Sequence, residues 1–432
     1  MLWKIKNILR RSVFYNVYKW LQSKSANTAF WNPSSKMVVI WVTGTDGKST
    51  TCNIIHKILN DNLWKTALFT TVNQKFGSIE KANTAKMTNV SAWKTQEFLS
   101  EAVENGCKYC VLEVSSHGID QKRVANIEYD VAVLTNITEE HLDYHKNITD
   151  YANTKRQLFQ WVMKNKKWLW IWVLNKDDDF GKKWSEELVF KKTITYALYS
   201  GAEIKAENIK QFVDHTEFEL KYLNQSYPIK TKLLWIFNVY NILAASSVAL
   251  WFKIDLEKVA KSIEEIEPVK WRMNYYQDKK WTHYFIDYAH TPAALNAVLK
   301  YLKDVAPENK IITVFGAPGV RDQQKRPKMG QVVSTFSDVV ILTDDDPDTE
   351  PRMQIIEQVA KWIKRQQWED FWIIPDRELA IKLAYDLSKK DDIVLIAWKG
   401  HETVQLTNLW KRHYSDVETL QTLIKNDWEL PL

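Results

Sequence analysis

The chain has 432 residues, of which 45% are hydrophobic and 26% charged, with a formal net charge of +6. That length points to two or three domains, and the composition is that of a soluble globular protein rather than a fibrous or disordered one. No apolar run approaches the roughly 20 residues that cross a bilayer, and no secretory leader is visible. The modest positive charge suits anionic small molecules such as nucleotides without arguing for nucleic acid.

Taken in chain order, residues 1–36 are basic and partly amphipathic, with Leu2, Ile5, Ile8, Leu9, Phe14, Val17 and Leu21 at helical spacing before Asn32-Pro33-Ser34-Ser35 breaks the pattern. Two readings of this segment stand side by side: a helix packed on the next domain, and a weak peripheral membrane contact through residues 1–24. From residue 37 the pattern becomes α/β. A strand over 36–42 leads through a Gly-containing loop into a helix over about 49–62, and further strands are expected over 66–71, 109–114, 131–135 and 169–174. Residues 194–230 read as an antiparallel addition, and 237–251 as an apolar helix. A boundary falls near Glu267-Pro268, beyond which strands over 282–288, 310–315, 339–343 and 393–397 alternate with helices again. The expected fold class is therefore α/β: a central P-loop domain with a doubly wound, mostly parallel sheet, and a C-terminal Rossmann-like α/β domain. The expected divisions are 1–36, 37–268 and 269–432.

Cysteine is used only at Cys52, Cys107 and Cys110. A single CxxC with no second pair reads as buried thiols in a reducing cytoplasm, not a zinc site. Glycine and tryptophan are the abnormal counts, 11 and 21, where glycine ordinarily makes up about 7% of a chain. Trp64, Trp281 and Trp410 stand at turn positions, where glycine is favoured because it tolerates positive φ. Most of these tryptophans are read as glycines in the living protein, from a gene that uses UGA for glycine.

Three strings carry chemistry. Gly44-Thr45-Asp46-Gly47-Lys48-Ser49-Thr50 follows a strand and opens a helix, the context of a phosphate-binding loop. There Lys48 would reach the β- and γ-phosphates, and the Ser49 hydroxyl would hold Mg²⁺. Glu113 ends an apolar strand and begins the string through Ser115, Gln121 and Arg123; a carboxylate at a strand's C-terminal end suits magnesium. Thr135-Asn136 through His141, Asp143 and His145 follows another strand, and Lys155 comes after it on a helix. Read alone, Lys155 would be a solvated lysine and a lone histidine structural, but two histidines with Asp143 and a preceding Thr-Asn at a strand end point toward a metal or phosphate site.

Together these strings resemble the Mur ligases, and among them the MurE type. The likeness continues through Asn238-Val239-Tyr240-Asn241, Arg272-Met273, Asp287-Tyr288-Ala289-His290, Arg321-Asp322, Asp345-Asp346-Pro347 and Lys399-Gly400-His401-Glu402, over about residues 37–415. The resemblance implies an ADP-forming amide ligase of peptidoglycan synthesis, serving cell-wall growth, shape and division in the cytoplasm. It adds a diamino acid, L-lysine or meso-diaminopimelate, to UDP-MurNAc-L-Ala-D-Glu through an acyl phosphate. It also implies the site. Lys48, Glu113, His141 and Lys155 would be catalytic, and Ser49, Glu113, His141 and a carbamylated Lys155 would hold two Mg²⁺. Gly44 to Thr50 with Asn238, Asn241, Arg272 and Asp287 would bind ATP. Thr88, Ser115, Gln121 and Arg123 would meet the UDP-MurNAc-dipeptide, and His290, Arg321, Asp345, Asp346, Asp348, Lys399 and Glu402 the free amino acid. A monomer is expected, without nucleic acid.

The chain departs from the family in several places. The 36 residues before the central domain are shorter than a full uridine-binding domain. Met87-Thr88-Asn89-Val90-Ser91 replaces a Thr-Thr-Pro string. Asp348 stands where diaminopimelate-selecting enzymes carry an arginine; its charge would repel the second carboxylate, which points to lysine or another basic amino acid, with Arg352 close by as a substitute. Trp41, Trp235, Trp271 and Trp398 each occupy a family glycine position. The competing expectations are a Mur-like ligase with another acceptor, as in folylpolyglutamate or cyanophycin synthetases, and an inactive nucleotide-binding scaffold.

Overall fold

The computed structural model describes residues 13–83, 85, 87–140, 144–164, 170–187, 192–268, 273–320, 323–400, 402–407 and 411–429. His141, Arg272 and Arg321, as well as Trp271 and Trp410, lie outside the described residues. The chain divides into two compact units, Met1–Lys210 with Thr216–Ile266, and Gln211–His215 with Glu267–Leu432.

In the first unit, helix α1 (Val13–Ala29) precedes strand β1 (Val38–Thr43), and α2 (Lys48–Asn62) follows the phosphate-binding loop. Then come β2 (Thr66–Phe69), β3 (Asn73–Phe76), β4 (Ile79–Ala82), α3 (Ala92–Glu104), β5 (Tyr109–Glu113), α4 (Ser116–Asp120), β6 (Val131–Leu134), α5 (Ile148–Met163), β7 (Ile171–Asn175) and α6 (Asp179–Glu187). The unit closes with β8 (Thr193–Ala197), β9 (Ile204–Gln211), β10 (Thr216–Tyr222), β11 (Gln225–Thr231), α7 (Ile236–Trp251) and α8 (Leu256–Glu264). Among the described residues these strands form one sheet in the order β11-β10-β9-β8-β7-β6-β1-β5-β2-β3-β4. Its centre is parallel, with β1 between β5 and β6, whereas the β2–β3–β4 and β10–β11 rims are antiparallel. The expectation that 194–230 is wholly antiparallel is corrected here. β8 pairs parallel with β7, and β9 with β8, so the parallel sheet runs on before the β10–β11 hairpin begins. The direction of β8 and β9 is set by which strand each meets in the sheet, which the sequence of neither strand encodes.

Alternation along β1 sends Ile40 and Val42 to one face, under α2, α7 and α8, and Val39 and Trp41 to the other, among residues of α3 and α5. Helix α7 is buried almost all round, as its unbroken apolar sequence requires. The three cysteines are buried thiols, each pushed up in pKa by that burial.

The second unit contains β12 (Asn274–Gln277), β13 (His283–Asp287), α9 (Pro292–Val305), β14 (Ile311–Phe315), α10 (Lys325–Phe336), β15 (Val339–Leu342), α11 (Arg352–Ala360), β16 (Phe371–Ile373), α12 (Arg377–Leu387), β17 (Ile393–Ala397), β18 (Val404–Leu406), β19 (Lys411–His413) and α13 (Asp416–Glu429). Its main sheet runs β12-β13-β17-β14-β15-β16 and is parallel from β13 onward. Helix starts are marked locally: Thr291 caps α9 ahead of Pro292, and Asp376 caps α12 through the Glu378 and Leu379 amides.

The tryptophans sit badly. Trp31, Trp235, Trp281, Trp368 and Trp398 have φ of 58°, 79°, 65°, 72° and 96°, a region that penalises a side chain. Trp41 is fully buried, its ring centroid only 3.4 Å from that of Tyr129, closer than the 4.5–7 Å of ordinary aromatic pairs. Its indole N–H finds no hydrogen-bond partner among the described residues.

Candidate active site

The phosphate-binding loop lies at the C-terminal end of β1, where a doubly wound sheet places its ligands. Gly47 takes φ 77° immediately before α2, and a Cβ there would lie 2.1 Å from Asn241 Oδ1. A Cβ on Gly44 would lie 1.8 Å from Thr135 Oγ1. The loop is braced by the segment after β6: the Thr45 amide donates to Asn136 O (2.9 Å), the Asp46 amide to Asn136 Oδ1 (2.9 Å), and Thr135 Oγ1 to Asp46 O (2.6 Å). Lys48 Nζ folds back on Thr45 O at 2.5 Å, and Thr50 is half-buried in the first turn of α2.

Glu113 collects the neighbouring groups. Its Oε2 accepts from Ser49 Oγ at 2.7 Å and from the Thr71 amide at 2.8 Å, and its Oε1 from Thr71 Oγ1 at 3.1 Å. Thr71 Oγ1 lies 2.7 Å from Thr88 Oγ1. Asn89 Nδ2 donates to Glu113 O, and its Oδ1 accepts from both the amide and the hydroxyl of Ser115. Arg123 donates to Asn89 O at 2.7 Å and to Gln121 Oε1 at 2.6 Å. Thr88, Glu113, Ser115, Gln121 and Arg123 are thus brought together as one polar face. Thr71 and Asn89, which hold that face, were not singled out from the sequence; the available signal was that Thr71 follows the C-terminal end of β2.

Lys155 is not a solvated lysine. It is buried on α5, donates to Gly44 O at 2.7 Å and lies 4.4 Å from the Tyr151 ring centroid. Burial first, and then Lys48, holds its ammonium pKa well below the usual lysine value. Beneath the loop, Thr51 Oγ1 donates to Asn241 Oδ1 and Asn241 Nδ2 to Asn238 Oδ1, while Asn238 Nδ2 donates to Leu234 O at 2.6 Å. Hard oxygens from Ser49 and Glu113 fit Mg²⁺, and the buried, deprotonation-prone Lys155 amine fits a carbamate.

The second unit has its own cluster at the ends of β15 and β17. Lys399 Nζ is 2.8 Å from Asp346 Oδ1, 3.2 Å from Glu402 Oε2 and 3.4 Å from Asp345 Oδ1. Burial pushes the Asp345 carboxyl up to about 7. Burial alone would lower Lys399, but Asp345 and Asp346 more than offset it and leave it raised. Asp345 Oδ2 is buried without a hydrogen-bond partner among the described residues. Trp398, at φ 96°, faces His290 edge-on at 5.6 Å, and Lys325 Nζ lies 4.5 Å from its ring centroid. Asp287 Oδ2 accepts from the Met273 amide, and Asp348 is half-buried with φ 53°. Arg352 is ion-paired with Asp344 and donates to Pro375 O. Arg377, which the sequence gave no reason to single out, links Asp344 O, Ala397 O and the Asp416 carboxylate.

The chain matches the Mur ligase middle domain over residues 42–249 and the Mur ligase glutamate ligase domain over residues 271–400. It is 35% identical over 384 residues to the UDP-N-acetylmuramoyl-L-alanyl-D-glutamate--2,6-diaminopimelate ligase of Caldanaerobacter subterraneus subsp. tengcongensis, covering 89% of this chain and 77% of the relative. It is 35% identical to the enzyme of that name from Clostridioides difficile, covering 92% and 80%. A solved structure of a ligase of that name superposes with a TM-score of 0.76 at 29% identity, covering 95% of this chain and 82% of the other. A Mycobacterium tuberculosis folylpolyglutamate synthase, at 15% identity and a TM-score of 0.65, shares the fold. With its phosphate-binding loop, Glu113 and Lys155 converging in the first unit, the chain belongs to the Mur ligase family and is of its MurE type.

Proposed function

We propose that the protein joins a diamino acid to UDP-MurNAc-L-Ala-D-Glu in the cytoplasm, converting ATP to ADP and phosphate. The observation that carries this reading is the convergence of Ser49, Glu113 and Lys155 on the Gly44–Thr50 loop, which a nucleotide-binding scaffold would not need. The substrate carboxylate oxygen attacks the γ-phosphorus, and ADP leaves. The amine of the second substrate then attacks the acyl carbon; the tetrahedral intermediate expels phosphate as the amine loses its proton. Such chemistry needs charge neutralisation and alignment more than a covalent nucleophile. Lys48 neutralises the phosphates, while Ser115, Gln121 and Arg123 orient the dipeptide substrate. Ser49 and Glu113 would hold one Mg²⁺, and His141 with carbamylated Lys155 a second; bound there, the ions supply further neutralisation of the phosphate oxygens. Asn238, Asn241, Arg272 and Asp287 hold the nucleotide.

The amino acid meets Asp345, Asp346, Glu402 and Lys399, with His290 and Arg321. The named relatives are diaminopimelate ligases. Support for lysine in this chain comes from Asp348 standing at the family arginine position and from the three carboxylates Asp345, Asp346 and Glu402 clustered about Lys399. The protein acts as a monomer without nucleic acid, and residues 1–24 lend it a weak contact with membrane surfaces.

ADP release tests the proposal, with ATP, Mg²⁺, UDP-MurNAc-L-Ala-D-Glu and either lysine or meso-diaminopimelate. It is run on the chain as written and on one carrying glycine at Trp41, Trp235, Trp271 and Trp398. Turnover that requires both UDP-MurNAc-L-Ala-D-Glu and an amino acid supports the ligase, and the faster amino acid decides specificity. Silence with both amino acids in both proteins would sink it.

A further inference from the structure

The first 36 residues hold seven lysines and arginines (Lys4, Lys6, Arg10, Arg11, Lys19, Lys24 and Lys36) and no acidic residue. The other 396 residues carry 52 basic against 53 acidic side chains, so the net positive charge of the whole chain resides in this segment. Helix α1 fixes only one of its faces. Ser23 is buried and its Oγ donates to Ala125 O at 2.5 Å, Ala26 is fully buried beside it, and Asn126 Nδ2 reaches Trp20 O. The opposite face carries Phe14, Val17, Tyr18 and Leu21, at 88%, 50%, 59% and 50% exposure. Their spacing of three, four and seven residues places them on one stripe. Lys24 is exposed one turn beyond Leu21, whereas Lys19 falls on the Ser23 and Ala26 side, drawn against the Tyr15 and Tyr18 rings. None of the four stripe residues is a tryptophan, although Trp20 lies in the same helix.

An exposed apolar stripe bordered by Lys24, on a basic segment free of carboxylates, matches the two properties of an anionic lipid surface: a hydrocarbon boundary and a negative potential. We propose that Phe14, Val17, Tyr18 and Leu21 of α1 dock the protein on an anionic lipid surface, with Lys24 pairing with its headgroups. Residues 1–12 lie outside the described residues, and only their sequence charge enters here. A protein partner or a second copy would cover the stripe as well, but neither calls for all of the net charge on one segment. The proposal sharpens the weak membrane contact named above and is independent of the ligase reading, because no stripe residue belongs to the active site.

The test is co-sedimentation of the full chain with phosphatidylcholine vesicles, with and without phosphatidylglycerol, at low and high salt. Binding is expected only with phosphatidylglycerol and is expected to fall with salt. Lys24→Glu should weaken it by at least about fivefold, and Phe14→Ser with Leu21→Ser should abolish it. Soluble ligase activity and melting temperature, followed in parallel, should stay unchanged in both variants, which separates lost docking from lost folding. Absence of binding, equal binding to pure phosphatidylcholine, or binding unaffected by Phe14→Ser with Leu21→Ser would each overturn the proposal. So would a dimer in solution that this double variant dissociates, since a second copy would then cover the stripe. Failure of ligase activity with vesicle binding intact would count against the ligase reading alone.

Discussion

Ser49 Oγ donates to Glu113 Oε2 across 2.7 Å, tying the start of α2 to the end of β5 although 64 residues separate them. If this pair holds magnesium, Glu113→Gln keeps the shape but removes the anion. Turnover should fall on the order of 10²-fold, and the Mg²⁺ concentration for half-maximal rate should rise. A magnesium titration at fixed ATP checks this; an unchanged half-point in the variant would remove Glu113 from the metal site.

Gly47 combines φ 77° with Asn241 Oδ1 2.1 Å from where a Cβ would stand. Gly47→Ala should lose ATP binding, read by equilibrium binding of a fluorescent analogue. Adding Asn241→Ala removes the clash but leaves the backbone penalty of about 1–2 kcal/mol and deletes a side chain assigned to the nucleotide, so affinity should stay well below the parent's. Full affinity in the single variant would show that the loop does not need this conformation.

Asp345 gives a signed pH dependence. Its folded pKa of about 7 lies above the ordinary 3.8, so between those values the folded state binds more protons than the unfolded one. Stability contributed by this group is therefore greatest at low pH and declines as pH rises toward 7. Urea midpoints from pH 4.5 to 8 should show the parent losing stability relative to Asp345→Asn over that window. Parallel curves would contradict the assignment.

Arg377 and Asp416 are both fully buried and paired at 2.8 Å, and Arg377 also holds the carbonyls of Asp344 and Ala397. It is a positioning residue for the Asp345–Lys399 cluster. Arg377→Ala leaves a buried carboxylate unpaired, at a cost of about 3–5 kcal/mol. Arg377→Lys should keep the fold and raise the KM for the amino acid with little change in that for ATP. Equal rises in both would make Arg377 merely structural.

Trp398 sits at φ 96° against His290, and Trp41 crowds Tyr129. Glycine at 398 should raise both the melting temperature and the amino-acid-dependent rate, relieving about 1–2 kcal/mol of backbone strain. Glycine at 41 should stabilise too, against the usual cost of emptying a core position. The gene offers an independent check: UGA codons at these sites support the glycine reading, and UGG codons would end it.

Much of the molecule was legible in its order of residues. The β-branched run of β1 and the Gly-Lys-Ser turn into α2 are local signals, so they survive reading along one dimension. The hydrogen-bonded rims β3–β4 and β18–β19 were not legible, because short strands of mixed polarity take their direction from whichever edge they meet. The same holds for 193–211, where pairing with β7 imposed a parallel course.

The sequence by itself determined the class of fold, the nucleotide loop and the chemistry its residues resemble, since each rests on contiguous strings. Only the tertiary structure decided that Lys155 is buried against Gly44, 111 positions away, and that Arg352 is held by Asp344. It alone brought Thr71 and Asn89 beside Glu113. The physical reason is that burial and pairing are properties of neighbours in space. A lysine's pKa, an arginine's availability and an asparagine's role are set by what packs around them, and the chain brings those partners from distant elements.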